Sequence, residues 1–254
     1  MSHVELVGVL NVTPDSFSDG GLYTNPEKAL SQANQLFNEG ASLLDIGAES
    51  TRPGATPLSH EEEWERLQSI LRNLVFSYPD QISLDTYHPE TVRKSVSEAG
   101  PVIVNDVTAF NNPEMIETVA RLDLRCIVSH LPNQYGQNIQ DAHRSDNKVN
   151  TVSQVKDELL AKREMMTEKG IYPSKIILDP GIGFGKTPEL NWQLLSFANE
   201  VPEINVMIGY SRKRFLGEHR MDLEPNLEAG RIAVSAGARY LRVHDVAGHR
   251  ELVQ

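Results

Sequence analysis

Residues 82–98 read ISLDTYHPETVRKSVSE and contain one complete strand–loop–helix unit. The short run at 82–84 predicts a strand, and Asp85 follows it with a charge. The longer amphipathic run at 89–98 predicts a helix, and Pro89 suits its first turn because an N–H at that place would have no partner. The same unit recurs in both directions along the chain.

Eight strands alternate with helices from one end of the sequence to the other. The strands are predicted at residues 6–10, 43–46, 82–84, 102–104, 126–128, 176–178, 206–208 and 240–243. The helices are predicted at residues 26–38, 59–76, 89–98, 113–121, 152–169, 188–198 and 226–235, and Ser59 with Glu62 predicts a capping box. Short strands rich in Val, Ile and Leu are typical of a parallel sheet covered on both faces. The pattern predicts a (β/α)8 TIM barrel, with a doubly wound sheet as the alternative and a short eighth helix after the last strand.

The composition excludes several classes of protein. Hydrophobic residues make up 39% and charged residues 23% of the chain, and no linker divides residues 1–254, so one domain is predicted. The net charge of −11 argues against nonspecific nucleic-acid binding. No stretch approaches the roughly 20 apolar residues of a membrane span, and the N-terminus lacks a basic and apolar leader, so we expect a cytoplasmic protein. The lone cysteine, Cys126, excludes an intrachain disulfide and is expected to be buried.

Polar side chains follow nearly every predicted strand. A polar strand end is unremarkable by itself, but the strand C-termini of a parallel barrel all open onto one face, so these residues would meet at one mouth. They are Asn11, Asp45 with Glu49, Asp85, Asn105, His130, Asp179, Ser211 with Arg212 and Lys213, and Arg242 with His244 and Asp245. Because buried charge must be compensated, this repetition points to a binding site.

The types of side chain indicate two ends of that site. In an acidic chain, Arg52, Lys213 and Arg242 with His244 could gather at the mouth and bind a phosphate group. Asn11, Thr51 and Ser211 would add neutral donors. Asp85 and Asp179 can accept hydrogen bonds from a flat nitrogenous ring, and Asn105 can both donate and accept. The simplest reading is a site with a pyrophosphate end and a ring-binding end.

The glycine-rich segment 179–187 resembles two nucleotide motifs without matching either. A Walker A loop requires glycine where this chain has Pro180, and the glycine spacing misses the dinucleotide fingerprint by one residue. The segments 15–21 and 49–55, after the first two strands, are expected to act as lids. The eight histidines are scattered and form no HExxH motif, so any metal is expected to be Mg²⁺ held mainly by substrate phosphates, with Asn11 as the protein ligand.

At these residues the sequence closely resembles the dihydropteroate synthase family. The matching segments are Gly8–Gly21 (GVLNVTPDSFSDGG), Glu49–Ala55, Ser83–Thr86, Asn105–Val107, Asp179–Lys186, Ser211–Lys213 and Arg242–Asp245, in family order over almost the whole chain. The resemblance implies an enzyme of folate biosynthesis, a sulfonamide target. It would join dihydropterin pyrophosphate to p-aminobenzoate through departure of pyrophosphate. It also implies Mg²⁺ and a homodimer.

The resemblance also implies a role for each matching position. The pterin contacts fall on Asp85, Asn105, Asp179 and Lys213, and the pyrophosphate contacts on Asn11, Arg52, Arg242 and His244, with Asn11 near Mg²⁺. Thr51 and Ser211 match positions near the phosphate and p-aminobenzoate, and Phe17 and Phe184 match aromatic residues of the p-aminobenzoate pocket. Asp85, Lys213 and Arg52 are the residues expected to carry the chemistry.

The sequence departs from the family in two places. The family usually has Met-His-Met after the fifth strand, where this chain has Ser129-His130-Leu131-Pro132-Asn133, and Ala48 stands where glycine is common. Two rival readings are the pterin-binding barrel of corrinoid-dependent methyltransferases and a nonenzymatic binding protein. The methyltransferase barrel would have no use for the residues expected to bind pyrophosphate. A nonenzymatic protein is not favoured, because none of the expected catalytic residues is missing from this chain. A barrel lyase or isomerase would need a central Lys or Glu base, and none stands out.

Overall fold

A computed structural model of the protein describes residues 4–13, 26–49, 56–132 and 149–253. Its eight strands are β1 (Glu5–Asn11), β2 (Leu43–Gly47), β3 (Ile82–Asp85), β4 (Ile103–Asp106), β5 (Cys126–Ser129), β6 (Ile176–Asp179), β7 (Met207–Gly209) and β8 (Tyr240–Val243). They are all parallel, in the order β6-β5-β4-β3-β2-β1-β8-β7. A parallel bridge between Leu178 and Val206 joins the two ends of this sheet. The predicted (β/α)8 barrel is therefore confirmed.

Eight α-helices in the described residues follow the strands. They are α1 (Pro26–Asn38), α2 (His60–Ser77), α3 (Pro89–Glu98), α4 (Pro113–Arg121), α5 (Val152–Glu168), α6 (Pro188–Leu194), α7 (Leu223–Ser235) and α8 (Val246–His249). The capping box predicted at the start of α2 is present, with Glu62 N–H donating to Ser59 Oγ and Ser59 N–H to Glu62 Oε2. The short eighth helix is confirmed, and a 3-10 turn at Arg250–Val253 follows it.

Two predicted helices differ from the structure at their ends. The helix predicted at 188–198 ends at Leu194, and a separate 3-10 turn covers Phe197–Glu200. The N–H groups of Leu195 and Ser196 donate three residues back rather than four, which tightens the chain there. Helix α7 begins three residues earlier than predicted, because Pro225 is tolerated within a first turn whose N–H groups have no helical partner.

The barrel interior has an apolar layer and a polar layer. The apolar layer is a separate cluster of buried side chains, formed by Val7, Leu43, Ile103, Ile127, Ile177, Met207 and Tyr240. Alternate residues of a strand face the same side, so the residue two positions later also points inward. On five strands that residue is polar, namely Asp45, Asn105, Ser129, Asp179 and Arg242. The fold thus places a ring of polar side chains directly above an apolar floor.

The outward faces of the strands pack against the helices. Together they form a second, larger cluster of buried apolar side chains, which includes Leu44, Ile46, Leu84, Val104 and Val128. Cys126 belongs to it as well and is a free, buried thiol, as predicted, with a pKa that burial raises. Within the described part of the chain, no helix combines the length and the apolar character needed to cross a membrane.

Candidate active site

The guanidinium of Arg242, on β8, lies between two carboxylates at the mouth of the barrel. Its Nε donates to Asp45 Oδ2 at 2.6 Å, and its Nη2 donates to Asp85 Oδ2 at 3.0 Å. Asp45 has no exposed surface and also accepts from Ser83 Oγ at 2.6 Å and from Asn105 Nδ2 at 3.0 Å. Side chains from β2, β3, β4 and β8 are therefore joined in one hydrogen-bonded network.

The electrostatics of this network raise the pKa of Asp85. Burial raises the pKa of Asp85, and the negative charge of Asp45 raises it further, while Arg242 opposes the shift. Two carboxylates that share one guanidinium cannot both be fully compensated. A positive charge brought near Asp85 would act in the same direction as Arg242, favouring the ionised carboxylate, which would in turn stabilise that charge.

Asp179 and Lys213 lie close enough at the mouth for the charge of each to shift the pKa of the other. Asp179, at the end of β6, accepts from the N–H of Gly181 at 2.7 Å, and burial raises its pKa although Lys213 opposes the shift. Lys213 Nζ donates to the carbonyl of Ile182 at 2.5 Å and lies 5.1 Å from the centroid of the Phe184 ring. Burial lowers the pKa of Lys213 to about 8, against the effect of Asp179. The pair offers an acceptor and a donor to a flat polar ring.

A buried lysine holds the glycine-rich loop that follows β6. Lys186, only 7% exposed, donates to the carbonyls of Gly181 and Phe184, both at 2.9 Å, and to that of His130 at 3.3 Å. Burial lowers the pKa of Lys186 to about 7. Gly181 has φ +64, and a Cβ there would lie 2.0 Å from the carbonyl oxygen of His130, so the loop touches the residue after β5 at a position that only glycine can fill.

Neutral and basic donors form the side of the mouth near β7, β8 and β1. Ser211 Oγ accepts from the N–H of His244 at 3.3 Å and lies 3.1 Å from its ring Nδ1. The backbone at Arg212 has φ +60, and its N–H donates to Asn226 Oδ1 at 2.9 Å. Asn11 ends β1 with an exposed side chain, next to Gly47 of β2. These residues could bind the oxygens of an anion.

A small apolar cluster borders the mouth beside Lys213. Ala109 and Leu131 are buried against each other, and Phe184 packs on them. Leu131 belongs to the segment that departs from the family after the fifth strand. In the structure this leucine therefore supplies apolar surface next to the site.

The chain is similar along its length to enzymes of one family. Residues 7–244 match the family model described as pterin binding enzyme. The chain is 36% identical to dihydropteroate synthase of Escherichia coli strain K12 over 253 residues, which cover 97% of this chain and 88% of that one. It is 38% identical over 256 residues to dihydropteroate synthase of Neisseria meningitidis serogroup C, with 95% and 88% covered. The chain belongs to the dihydropteroate synthase family.

Solved structures of this family have the same fold. Dihydropteroate synthase of Xanthomonas albilineans with 4-aminobenzoic acid superposes with a TM-score of 0.85 at 37% identity, covering 99% of this chain and 91% of that one. The Yersinia pestis dihydropteroate synthase in a sulfonamide drug complex superposes with a TM-score of 0.88 at 32% identity, covering 99% and 92%.

Most of the positions matched to the dihydropteroate synthase family come together at the mouth. We call Asp85, Asn105, Asp179 and Lys213 the ring end, and Asn11, Ser211, Arg242 and His244 the anion end. The two ends meet at the Arg242–Asp85 ion pair, and Phe184 lies beside Lys213. Phe17, Thr51 and Arg52 lie outside the described residues, as does most of the two segments expected to act as lids.

Three residues of the site network were not singled out from the family motifs. In the sequence Asp45 is one of many polar residues at strand ends. Ser83 and Lys186 lie within matching segments but have no predicted role. The signal for Asp45 was available in the alternation Leu43-x-Asp45, which places its carboxylate on the inward face of β2. No sequence pattern indicates that Lys186 points into the protein rather than towards a substrate.

Proposed function

We propose that this chain catalyses the condensation of 6-hydroxymethyl-7,8-dihydropterin pyrophosphate with p-aminobenzoate to 7,8-dihydropteroate and pyrophosphate. The observation that carries the proposal is the union of the ring end and the anion end in one mouth, where Arg242 is paired with Asp85. A single substrate with a hydrogen-bonding ring and an attached pyrophosphate requires both ends in one mouth. A site for a pterin without pyrophosphate would not require the second.

The ring end supplies what a dihydropterin needs. Asp179 and Asp85 present carboxylate oxygens, and Oδ1 of Asn105 is a buried acceptor without a hydrogen-bond partner among the described residues. These acceptors suit the amino and ring N–H groups of a pterin, while the Lys213 ammonium can donate to the ring oxygen or nitrogen. An unpaired buried acceptor costs free energy, so a ring that donates to Asn105 would recover it on binding.

The chemistry is the replacement of one bond to the pterin methylene by another. The C–O bond breaks, and its electron pair leaves with pyrophosphate. The amine nitrogen of p-aminobenzoate then attacks the carbon and loses a proton to solvent. Arg242 and His244, with Arg52 and Thr51, would stabilise the charge on the departing group, and Asp85 would stabilise the positive charge on the pterin. Phe17, Phe184 and Ser211 would contact p-aminobenzoate.

A magnesium ion fits this arrangement as a ligand of the substrate rather than of a protein cage. In the described part of the chain no three His, Cys, Asp or Glu side chains converge to hold a metal. Asn11 offers an exposed amide oxygen at the end of β1. One such oxygen together with pyrophosphate oxygens and water meets the preference of Mg²⁺, which would neutralise charge on the leaving group.

We also propose a cytoplasmic location and a homodimer. A buried free thiol at Cys126 suits a reducing compartment such as the cytoplasm. A homodimer is supported by two exposed apolar side chains, Met221 (61% exposed) just before α7 and Leu223 (41% exposed) at its start. Light scattering on the purified protein measures the assembly directly.

The proposed function is tested by pyrophosphate release from dihydropterin pyrophosphate and Mg²⁺, with and without p-aminobenzoate. We expect release that rises with p-aminobenzoate and matches the dihydropteroate formed. Lys213→Ala should reduce turnover at least about a hundredfold, since it removes a charge-assisted donor from the ring end. Lys156→Ala, which removes a surface ion pair with Glu200, is the matched control and should retain full activity.

Two results would contradict the proposal. Pterin binding without any release would favour the methyltransferase-like or nonenzymatic readings. Wild-type turnover in Lys213→Ala would remove the assignment of this lysine to the site.

A further inference from the structure

Asp45 accepts three hydrogen bonds from protein side chains. It lies in the middle of β2 with none of its surface exposed. Its Oδ1 accepts from Ser83, and its Oδ2 accepts from both Asn105 and Arg242. All three donors belong to other strands of the barrel. Because the protein itself occupies the carboxylate in this way, Asp45 contributes to the site through other residues.

The first of these residues is Asn105. A side-chain amide can present either its oxygen or its nitrogen in a given direction, and a carboxylate can only accept. Because Asp45 accepts from Nδ2, the oxygen of Asn105 must face the other way, and this Oδ1 is the buried acceptor that lacks a partner in the described residues. Asp45 thus selects the orientation in which Asn105 offers an acceptor.

The second residue is Arg242. Asp45 holds its Nε at 2.6 Å, and Asp85 holds Nη2 at 3.0 Å, so the guanidinium is fixed in position and in plane. Asp85 is itself a ring-end residue that would be drawn towards a charged pterin. Asp45 is therefore the residue that holds Arg242 in place even when Asp85 moves towards the pterin.

We propose that Asp45 is a positioning residue that sets the Asn105 amide and the Arg242 guanidinium together, and so fixes the ring end relative to the anion end. The proposal rests on the proposed function for the identity of the two ligands. Its structural part, the anchoring of Arg242 and Asn105, can be measured without any ligand.

The direct test is Asp45→Asn, an isosteric change that replaces one acceptor by a donor. If the new amide keeps the bond from Ser83, its nitrogen faces two donors, and both Asn105 and Arg242 must move. We expect the affinity for 6-hydroxymethyl-7,8-dihydropterin and for inorganic pyrophosphate each to fall about ten- to a hundredfold. Asp123→Asn is the matched control, since it makes the same change in a surface ion pair with Lys175, and should change each affinity less than about threefold.

A double-mutant cycle separates positioning from general damage. In an Asn105→Ala background, Asp45→Asn should cost little further affinity for the dihydropterin and should keep its full effect on pyrophosphate. Equal proportional losses for both ligands in both backgrounds would mean that Asp45 has only a structural role, and would overturn the proposal.

Exchange of the Arg242 Nε hydrogen gives a readout that needs no ligand. In ¹⁵N-arginine-labelled protein, assigned with Arg242→Lys, this hydrogen should exchange slowly in the wild type and in Asp123→Asn, and much faster in Asp45→Asn. Rapid exchange in the wild type would overturn the proposal even if Asp45→Asn fails to fold. If the wild type exchanges slowly but binds neither ligand, the proposed function is wrong while the anchoring of Arg242 by Asp45 still holds.

Discussion

Replacing Lys186 by methionine tests whether a buried charge holds the glycine-rich loop. Methionine has about the same length as lysine but can donate no hydrogen bond. Lys186 donates to three carbonyls, those of His130, Gly181 and Phe184. Removing this donor should cost about 1–3 kcal/mol in free energy of unfolding for each buried carbonyl that finds no replacement.

The opposing effect is the burial of the ammonium group, and it depends on pH. The pKa of Lys186 is lowered from 10.5 to about 7 in the folded protein. Between these values the unfolded chain binds a proton that the folded chain does not, so stability rises with pH through this window. At about 1.4 kcal/mol per pH unit, the rise from pH 7 to pH 9 is about 3 kcal/mol, and it is lost again as pH falls through about 7.

Urea unfolding at several values between about pH 6 and pH 9 measures this difference. The stability of the wild type relative to Lys186→Met should be small below pH 7, where the two effects nearly cancel, and should grow by about 3 kcal/mol up to pH 9. Lys156→Met removes a lysine at the surface and controls for the loss of one positive charge. A difference that is the same at every pH would refute the reasoning, because it would mean that burial does not oppose the charge of Lys186.

Three further predictions concern the loop and the packing around the mouth. Because the pKa of Lys213 is lowered to about 8, kcat/KM should fall as pH rises through about 8, and a pH–rate profile that stays flat would contradict the role of the charged ammonium. Gly181→Ala places a Cβ 2.0 Å from a backbone carbonyl oxygen and should reduce turnover at least about tenfold. Gly237→Ala, which also has a positive φ (+91) but nothing within 4 Å of the added Cβ, introduces backbone strain without the clash and should stay active. Gly230→Ala meets two side chains within 2.5 Å and should lower the thermal unfolding midpoint by several degrees, about 1–3 kcal/mol, as calorimetry will show, while leaving kcat unchanged.

The strands and their polar ends could be predicted because both depend on local sequence. All eight strands lie within two residues of their predicted bounds, and Asp85, Asn105 and Asp179 end or nearly end theirs, as expected. The end of α6 could not be predicted, because the change to i→i+3 bonds there leaves the apolar spacing through Phe197 unchanged.

The importance of Asp45 could not be predicted for a different reason. Its partner Arg242 is 197 residues further along the chain, and their contact depends on how far each strand is shifted against its neighbours around the closed barrel. Each strand shows its own alternation of inward and outward side chains, but no pattern in the sequence gives the shift between neighbouring strands. The residues of the site were therefore easier to recognise than the bonds that orient them.

The barrel can place charges in its interior because its stability comes from another face of the same strands. On β2, Leu44 and Ile46 pack outward against the helices, while Leu43 and Asp45 point inward. The apolar outer face and the floor beneath bury enough surface to offset a layer of polar residues at the mouth. That layer is then ordered by its own hydrogen bonds rather than by packing. A site built in this way depends on residues such as Asp45, which touch no substrate, because without them the charged side chains above the floor would have no fixed orientation.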